Sequence, residues 1–340
     1  MNEGHLLTLS NPLGVFEHSL GSEPRREYGF CVDDVARALI LLTRADMLGE
    51  PISLDARLLA DQSLSFILDA QSPDGLFVNR RAVDGSWYGT PAAEDHWGRA
   101  LWSLGDVAGS SSMRRDEALG AFELGAVHRP PFLRSMVFAG LGAASVVRVL
   151  PGNDAGVDLL RAAAARVPKA TSMGWPWPEP RLTYANAAIP ELLIRAGNLL
   201  GEPSMLKRGL DLLAWLMEVE MIGGHLSMTP VGGWGPGDLR PGFDQQPIEV
   251  TALVDACVAA HAATGDVSWL TGVERGVAWF DGDNDAGIPM GNPYTGGGHD
   301  GLHPHGRNEN QGAESTLAYL MVVQTATHLI QSRYPGQAVL

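Results

Sequence analysis

Two stretches place adjacent acids at the start of an apolar helical pattern, with an arginine three or four residues beyond the second acid. They are Val32-Asp33-Asp34-Val35-Ala36-Arg37-Ala38-Leu39 and Ala93-Glu94-Asp95-His96-Trp97-Gly98-Arg99-Ala100-Leu101. Three later segments open with amides, an aromatic or a carboxylate: Thr183-Tyr184-Ala185-Asn186, Gln245-Gln246-Pro247-Ile248-Glu249-Val250 and Asn310-Gln311-Gly312-Ala313-Glu314-Ser315. Acids in a first turn serve as caps and dipole partners in many helices. Capping does not call for doubled acids followed by arginine, nor for amides set ahead of a glutamate. Crowded carboxyls raise one another's pKa and keep a proton near neutrality, while Arg37 and Arg99 hold the remaining carboxylates ionised. An acid and a base of this kind cleave bonds between sugars.

On this chemistry Asp34, Glu94, Asp95, Glu249 and Glu314 are the candidate catalytic carboxylates, with Asp33 beside them. Gln245, Gln246, Asn186, Asn310 and Gln311 offer amides that bond hydroxyls as donor and acceptor. Trp87, Tyr88, Trp175, Trp177, Tyr184 and Trp234 stand in or beside the loops that lead into helices and present ring faces, with packing of those loops as their other role. His96 and His303 supply a base for an isomerase or epimerase, the alternative enzyme class, which needs a proton acceptor near a sugar carbon. A phosphorolytic enzyme and a non-catalytic glycan-binding module are further alternatives. The loop Thr295-Gly296-Gly297-Gly298-His299-Asp300-Gly301-Leu302-His303-Pro304-His305-Gly306 groups histidines as zinc sites do, but a Gly-rich wall of a sugar pocket accounts for it with fewer assumptions. No metal or cofactor is expected.

These residues need a scaffold that gathers them. Leu199-Leu200-Gly201-Glu202-Pro203-Ser204-Met205-Leu206 is echoed by Ala263-Thr264-Gly265-Asp266-Val267-Ser268-Trp269-Leu270, and more loosely by Met47-Leu48-Gly49-Glu50-Pro51. Such a repeat is one supersecondary unit. First helices are predicted to start near 32, 93, 133, 184, 246 and 311, with partners near 56–70, 113–126, 154–167, 204–220 and 268–281. Ala36–Thr43 and Thr316–Val323 are apolar nearly all round, as an inner ring covered by an outer one requires. The expected fold is all-α, a single (α/α)6 toroid over residues 1–340 with short β-hairpins in its loops. Parallel inner helices would bring their first turns, with free N–H groups, to one mouth.

The 340 residues carry a net charge of −15, which repels phosphate backbones and excludes nucleic acid as a favoured partner. No apolar run reaches the roughly 18 residues of a membrane span, and the first residues lack a signal-peptide pattern. Cys31 and Cys257 lie in apolar segments that read as helix and are expected to be buried free thiols, which favours the cytoplasm.

Phe16-Glu17-His18, Phe30-Cys31-Val32-Asp33-Asp34-Val35-Ala36-Arg37-Ala38-Leu39, Phe243-Asp244-Gln245-Gln246-Pro247-Ile248-Glu249, Asp300-Gly301-Leu302-His303-Pro304 and Asn308-Glu309-Asn310-Gln311-Gly312-Ala313-Glu314-Ser315-Thr316-Leu317 resemble one bacterial group. Its helical domain often follows a glycosyltransferase domain, and it is similar in architecture to six-hairpin (α/α)6 glycosidases. The resemblance implies a carbohydrate-active toroid acting on an oligosaccharide or glycan, with a functional link to a separate glycosyltransferase, since no nucleotide-sugar-binding domain is read in this chain. Hydrolysis of a glycosidic bond is the leading expectation.

Overall fold

The computed structural model describes residues 1–170, 174–240 and 242–333. Twelve α-helices lie among them, and the alternation of fully and partly apolar helices sorts them into two rings. The inner ring is α2 (Val32–Leu48), α4 (Asp95–Ala108), α6 (Leu133–Val149), α8 (Ala188–Leu199), α10 (Pro247–Thr264) and α12 (Ala313–Arg333). Around it stand α1 (Gly4–Thr8), α3 (Leu54–Ala70), α5 (Arg115–Gly125), α7 (Asp154–Arg166), α9 (Pro203–Val219) and α11 (Leu270–Asp281). Each inner helix packs on the next, and α12 packs on α2, so the ring closes as an (α/α)6 toroid. Val35 to Thr43 of α2 are buried without a break, whereas α3 buries Ala56, Leu59, Ser63, Leu64, Phe66, Ile67 and Ala70, a single stripe at helical spacing.

Two boundaries and one assignment differ from expectation. The fourth inner helix begins at Ala188 because Ala185, with φ 44°, turns the chain in the left-handed region just before it. The last begins at Ala313, after Gln311 and Gly312. Cys31 ends a short strand, Phe30–Cys31, instead of lying in a helix, although both it and Cys257 are free and buried. The sixth outer position is filled by α1, too short to show as a periodic pattern, which packs on α12 and α3.

Links from an inner helix to its outer partner are short, at 49–53, 109–114, 150–153, 200–202 and 265–269. Those leading to the next inner helix are longer, from 126–132 to 282–312. Every β-hairpin lies in these long connections or ahead of α2, so the loops wall the end where the inner helices start. At the opposite end, Nη1 of Arg44 on α2 donates to both oxygens of Asp255 on α10, at 3.0 and 2.9 Å. Its Nε lies 3.8 Å from Asp106 on α4, and Asp106 accepts from Ser145 of α6 at 2.5 Å. Arg195 on α8 lines the same two small cavities as Arg44. No helix among the described residues is long and apolar enough to cross a membrane.

The α4–α6 contact is the closest backbone approach in the ring. A Cβ at Gly105 would stand 2.3 Å from the carbonyl oxygen of Gly142, and one at Gly142 would stand 2.2 Å from that of Leu101. Overpacking of such a contact costs about 1–3 kcal/mol. Gly142→Ala is therefore expected to lower the urea midpoint of unfolding at unchanged m-value, which equilibrium denaturation measures.

Candidate functional site

Five of the inner helices begin without a side-chain cap from the residue ahead of them. The residues preceding α2, α4, α6, α8 and α10 are Cys31, Glu94, Phe132, Ala187 and Gln246, and none makes a side-chain capping bond. Ser53 and Asn153 cap the outer helices α3 and α7, whereas the residues ahead of α1, α5, α9 and α11 do not cap. The first-turn acids Asp34 and Asp95 instead accept from side chains, Arg37 and Cys31 for the one and Ser135 and Tyr184 for the other, and the partial positive charge of the helix ends faces the mouth.

Two basins that share Asp33 occupy this mouth. The first, about 330 Å³, is lined by Asp33, Asp34 and Arg37 from α2, Glu314 from α12, Gln246 ahead of α10, and Glu17, His18, Cys31 and Asp300 from the surrounding segments. The second, about 370 Å³, is lined by Asp33, Glu94, Asp95, His96, Tyr184, Asn79, Phe132 and Ser135. A cleft of about 380 Å³ opens near the far end, between α2, α3 and the α4–α5 link, and none of the first turns of the inner helices lines it.

Arg37 organises the first basin. Its Nη1 donates to Asp34 Oδ1 at 2.6 Å and its Nη2 to Glu314 Oε2 at 2.5 Å, so one guanidinium bridges carboxylates from two neighbouring helices. The Cys31 thiol donates to the other Asp34 oxygen at 3.2 Å. Burial pushes the Asp34 carboxyl up to about 6 against the pull of Arg37, with Glu314, Glu17 and Asp33 adding to the rise. Burial also raises Asp300, whose Oδ1 accepts from the Gly312 amide at 2.7 Å. Glu17 is held by Arg80. Behind Asp33, Arg99 Nε lies 3.1 Å from its Oδ1, and the guanidinium sits 3.9 Å over the Phe138 ring.

In the second basin Asp95 accepts from Ser135 Oγ at 2.9 Å and from the Tyr184 hydroxyl at 2.7 Å. Burial and that bond raise the Tyr184 pKa, keeping the phenol a donor. Glu94 is exposed at the rim. His96 is buried with Nε2 2.9 Å from the Phe77 carbonyl oxygen. A carbonyl only accepts, so this nitrogen carries the proton and Nδ1 is the basic one.

Several expected site residues stand elsewhere. Glu249 is buried in the ring wall, where its carboxylate accepts from the backbone amides of Ala185 at 2.5 Å and Asn186 at 3.2 Å. Asn186 is fully buried and accepts from Thr183 and Arg134. Arg134 also donates to the Tyr184 carbonyl at 2.6 Å, so the turn that carries Tyr184 is gripped from both sides. Gln245 is fully buried, its oxygen accepting from Met228 and Trp279 and its nitrogen donating to Gly242 and Asp285. Trp177 is buried against Trp215, and Trp234 packs edge-on to Trp175. Trp87 donates to Asp69, and the half-exposed Tyr88 lines neither basin. Asn310 accepts from the Gly21 amide, Gln311 packs on Gly297, and His303 lies in the hairpin 302–307 outside both basins. In the loop considered for zinc, His299 binds the Asn308 carbonyl and His303 accepts from the His305 amide. Among the described residues, ligand atoms of Glu17, Cys31 and Asp34 are the metal-type donors that lie within 4.8 Å of one another, and these are occupied by Arg80, Arg37 and the thiol's own bond.

Residues missing from the expected set are Glu17, His18, Cys31, Asp300, Gly312 and Ser315 in the first basin and Asn79, Phe132 and Ser135 in the second. Glu17-His18 and Asp300 fall within the motifs that carry the sequence resemblance noted above, which was a usable signal. Phe132 follows Pro130-Pro131 directly ahead of an inner helix and was readable as a loop aromatic.

Glu249 provides a test of this placement. Burial and the nearby Glu220 hold its pKa at about 7, above the ordinary 4.5. Between these values the folded chain retains a proton that the unfolded chain has released, so stability falls as pH rises through this window. Glu249→Gln is expected to reduce the loss of urea midpoint between pH 5 and 7.5. The part due to Glu191, also held at about 7 by burial, remains. An identical loss in both proteins would contradict the placement.

No protein-family model matches the chain, and no curated protein matches its sequence. Solved structures do match its fold. A sugar epimerase from a ruminal bacterium superposes with TM-score 0.72 at 11% identity, covering 94% of this chain and 95% of its own. A cellobiose 2-epimerase from Spirochaeta thermophila gives 0.68 at 12% identity, over 96% and 93%. The cellulase Cel9M of C. cellulolyticum gives 0.59 at 10% identity, over 93% and 87%.

Proposed function

We propose that the mouth of the toroid is the active centre of a carbohydrate-active enzyme, a glycoside hydrolase acting on a short oligosaccharide or glycan. The observation that carries this reading is Arg37 held between Asp34 and Glu314. One carboxyl, buried and raised to about 6, keeps a proton for the departing sugar oxygen. The other, more exposed and charge-paired, is the base or nucleophile for the second half of the reaction. Structural similarity to sugar epimerases and a cellulase supports sugar chemistry on this fold without choosing between bond cleavage and isomerisation. The link to a separate glycosyltransferase rests on the sequence resemblance alone.

One observation favours epimerisation or isomerisation as a second reading. His96 is fixed in one tautomer with Nδ1 as its basic nitrogen, and it lines the second basin beside Tyr184 and Asp95. Such a base could remove a proton from a sugar carbon.

Incubation with di- and oligosaccharides, read by reducing-end release and mass, separates these readings. Hydrolysis shortens the chain, whereas isomerisation leaves the mass unchanged. Glu314→Gln is expected to lower kcat by about 10²–10⁴, the usual share of a general acid or base. A proton donor works only while protonated, so activity should decline as pH rises through about 6, and Asp34→Asn should be slow and lack that limb. Binding without turnover, unaffected by both substitutions, would instead identify a glycan-binding module.

A further inference from the structure

We infer that the substrate spans at least two sugar rings across the mouth, with its linkage above Asp33, and that Phe132 and Tyr184 form the stacking face for the leaving ring. This rests on the reading of the mouth as a sugar-cleaving centre. The two basins meet only at Asp33, and each lies at the low end of the roughly 300–1,000 Å³ typical of small-molecule sites, room for one ring unit apiece.

Their linings differ in kind. The first holds the carboxylates bridged by Arg37 and has no Phe, Tyr or Trp; the second holds both aromatic side chains of the mouth. Phe132 is 52% exposed and Tyr184 43% exposed. A half-exposed phenyl in a polar basin leaves apolar surface in water that the C–H face of a pyranose would cover. Tyr184 is already immobilised, by its hydroxyl on Asp95 at 2.7 Å and by Arg134 on its carbonyl at 2.6 Å, so little freedom is lost on stacking. Asn79 uses its side-chain oxygen on the Val32 amide at 3.2 Å and leaves its NH₂ available to a sugar hydroxyl. The division of labour follows: chemistry in the first basin, recognition of the departing sugar in the second.

Hydrolysis of cellobiose and mannobiose, compared with methyl glucoside and methyl mannoside, tests the assignment. The wild type should prefer the disaccharides by kcat/KM. Phe132→Ala should raise KM for the disaccharide about tenfold, the equivalent of one aromatic stacking contact, and lower the disaccharide-to-methyl-glycoside ratio of kcat/KM to match. Phe132→Tyr should restore the ratio. Turnover with a ratio that Phe132→Ala leaves unchanged would overturn the two-basin assignment and leave the hydrolase reading standing. Saturation-transfer NMR with the same four sugars covers the case of no turnover: disaccharide contacts that weaken in Phe132→Ala keep the assignment and reject hydrolysis, and absence of binding by every sugar rejects both.

Discussion

Arg44 fastens the far end of the ring, and the open mouth depends on that fastening. Its guanidinium joins α2 to α10 through Asp255 and faces Asp106 of α4, which Ser145 of α6 also holds. Removing one partner from a buried ion pair typically costs about 3–5 kcal/mol, because the other charge is left without compensation. With short links and buried charge pairs closing one end, the long connections can be confined to the other. The inner helices then present their uncapped starts to a common space, where loops are free to differ without disturbing the core.

At that open end the same kind of pairing serves a different purpose. Arg37 is buried as deeply as the carboxyl it binds, yet its second carboxylate, Glu314, remains in contact with solvent. Burial favours the neutral form of Asp34 against the pull of the same cation. The helix N-termini add fixed positive potential without filling the space a ligand would take.

The ring was legible in the sequence because inner helices are apolar on all sides and outer ones on a single stripe, a contrast visible in α2 against α3. Pairs of adjacent acids ahead of arginine marked Asp33, Asp34, Glu94, Asp95 and Arg37, which the structure places around the mouth because α2 and α4 begin there. Position within a turn was not enough for Glu249 and Gln245. Both sit at the start of α10, but a backbone turn at Ala185 and the indole of Trp279 lie within reach and take their hydrogen bonds. Loop residues gave the poorest return. Trp177 and Trp234 found other tryptophans to pack on, and only coordinates show that Phe132 did not. Asp300 and Glu17 escaped selection because each is carried by irregular backbone whose direction no periodicity reveals.

The wall that bears Glu314 is sewn to the segment before α2 by bonds between residues 289 to 306 positions apart: Asn2 to the Tyr294 carbonyl, His5 to the Gln311 carbonyl, Gly21 to Asn310, and Gln311 to Ser19. Such distant pairings form late, since most of the polypeptide must be ordered before they repay their closure entropy. During synthesis the opening segment can pair with α3 and Arg80 early, but these particular bonds wait until residues near 294–314 have left the ribosome. Neighbouring hairpins of the toroid can associate as they emerge, but Asp34 and Glu314 are joined only when the circle is completed. The acids of the first basin are therefore paired only after the ring has closed between α12 and α2.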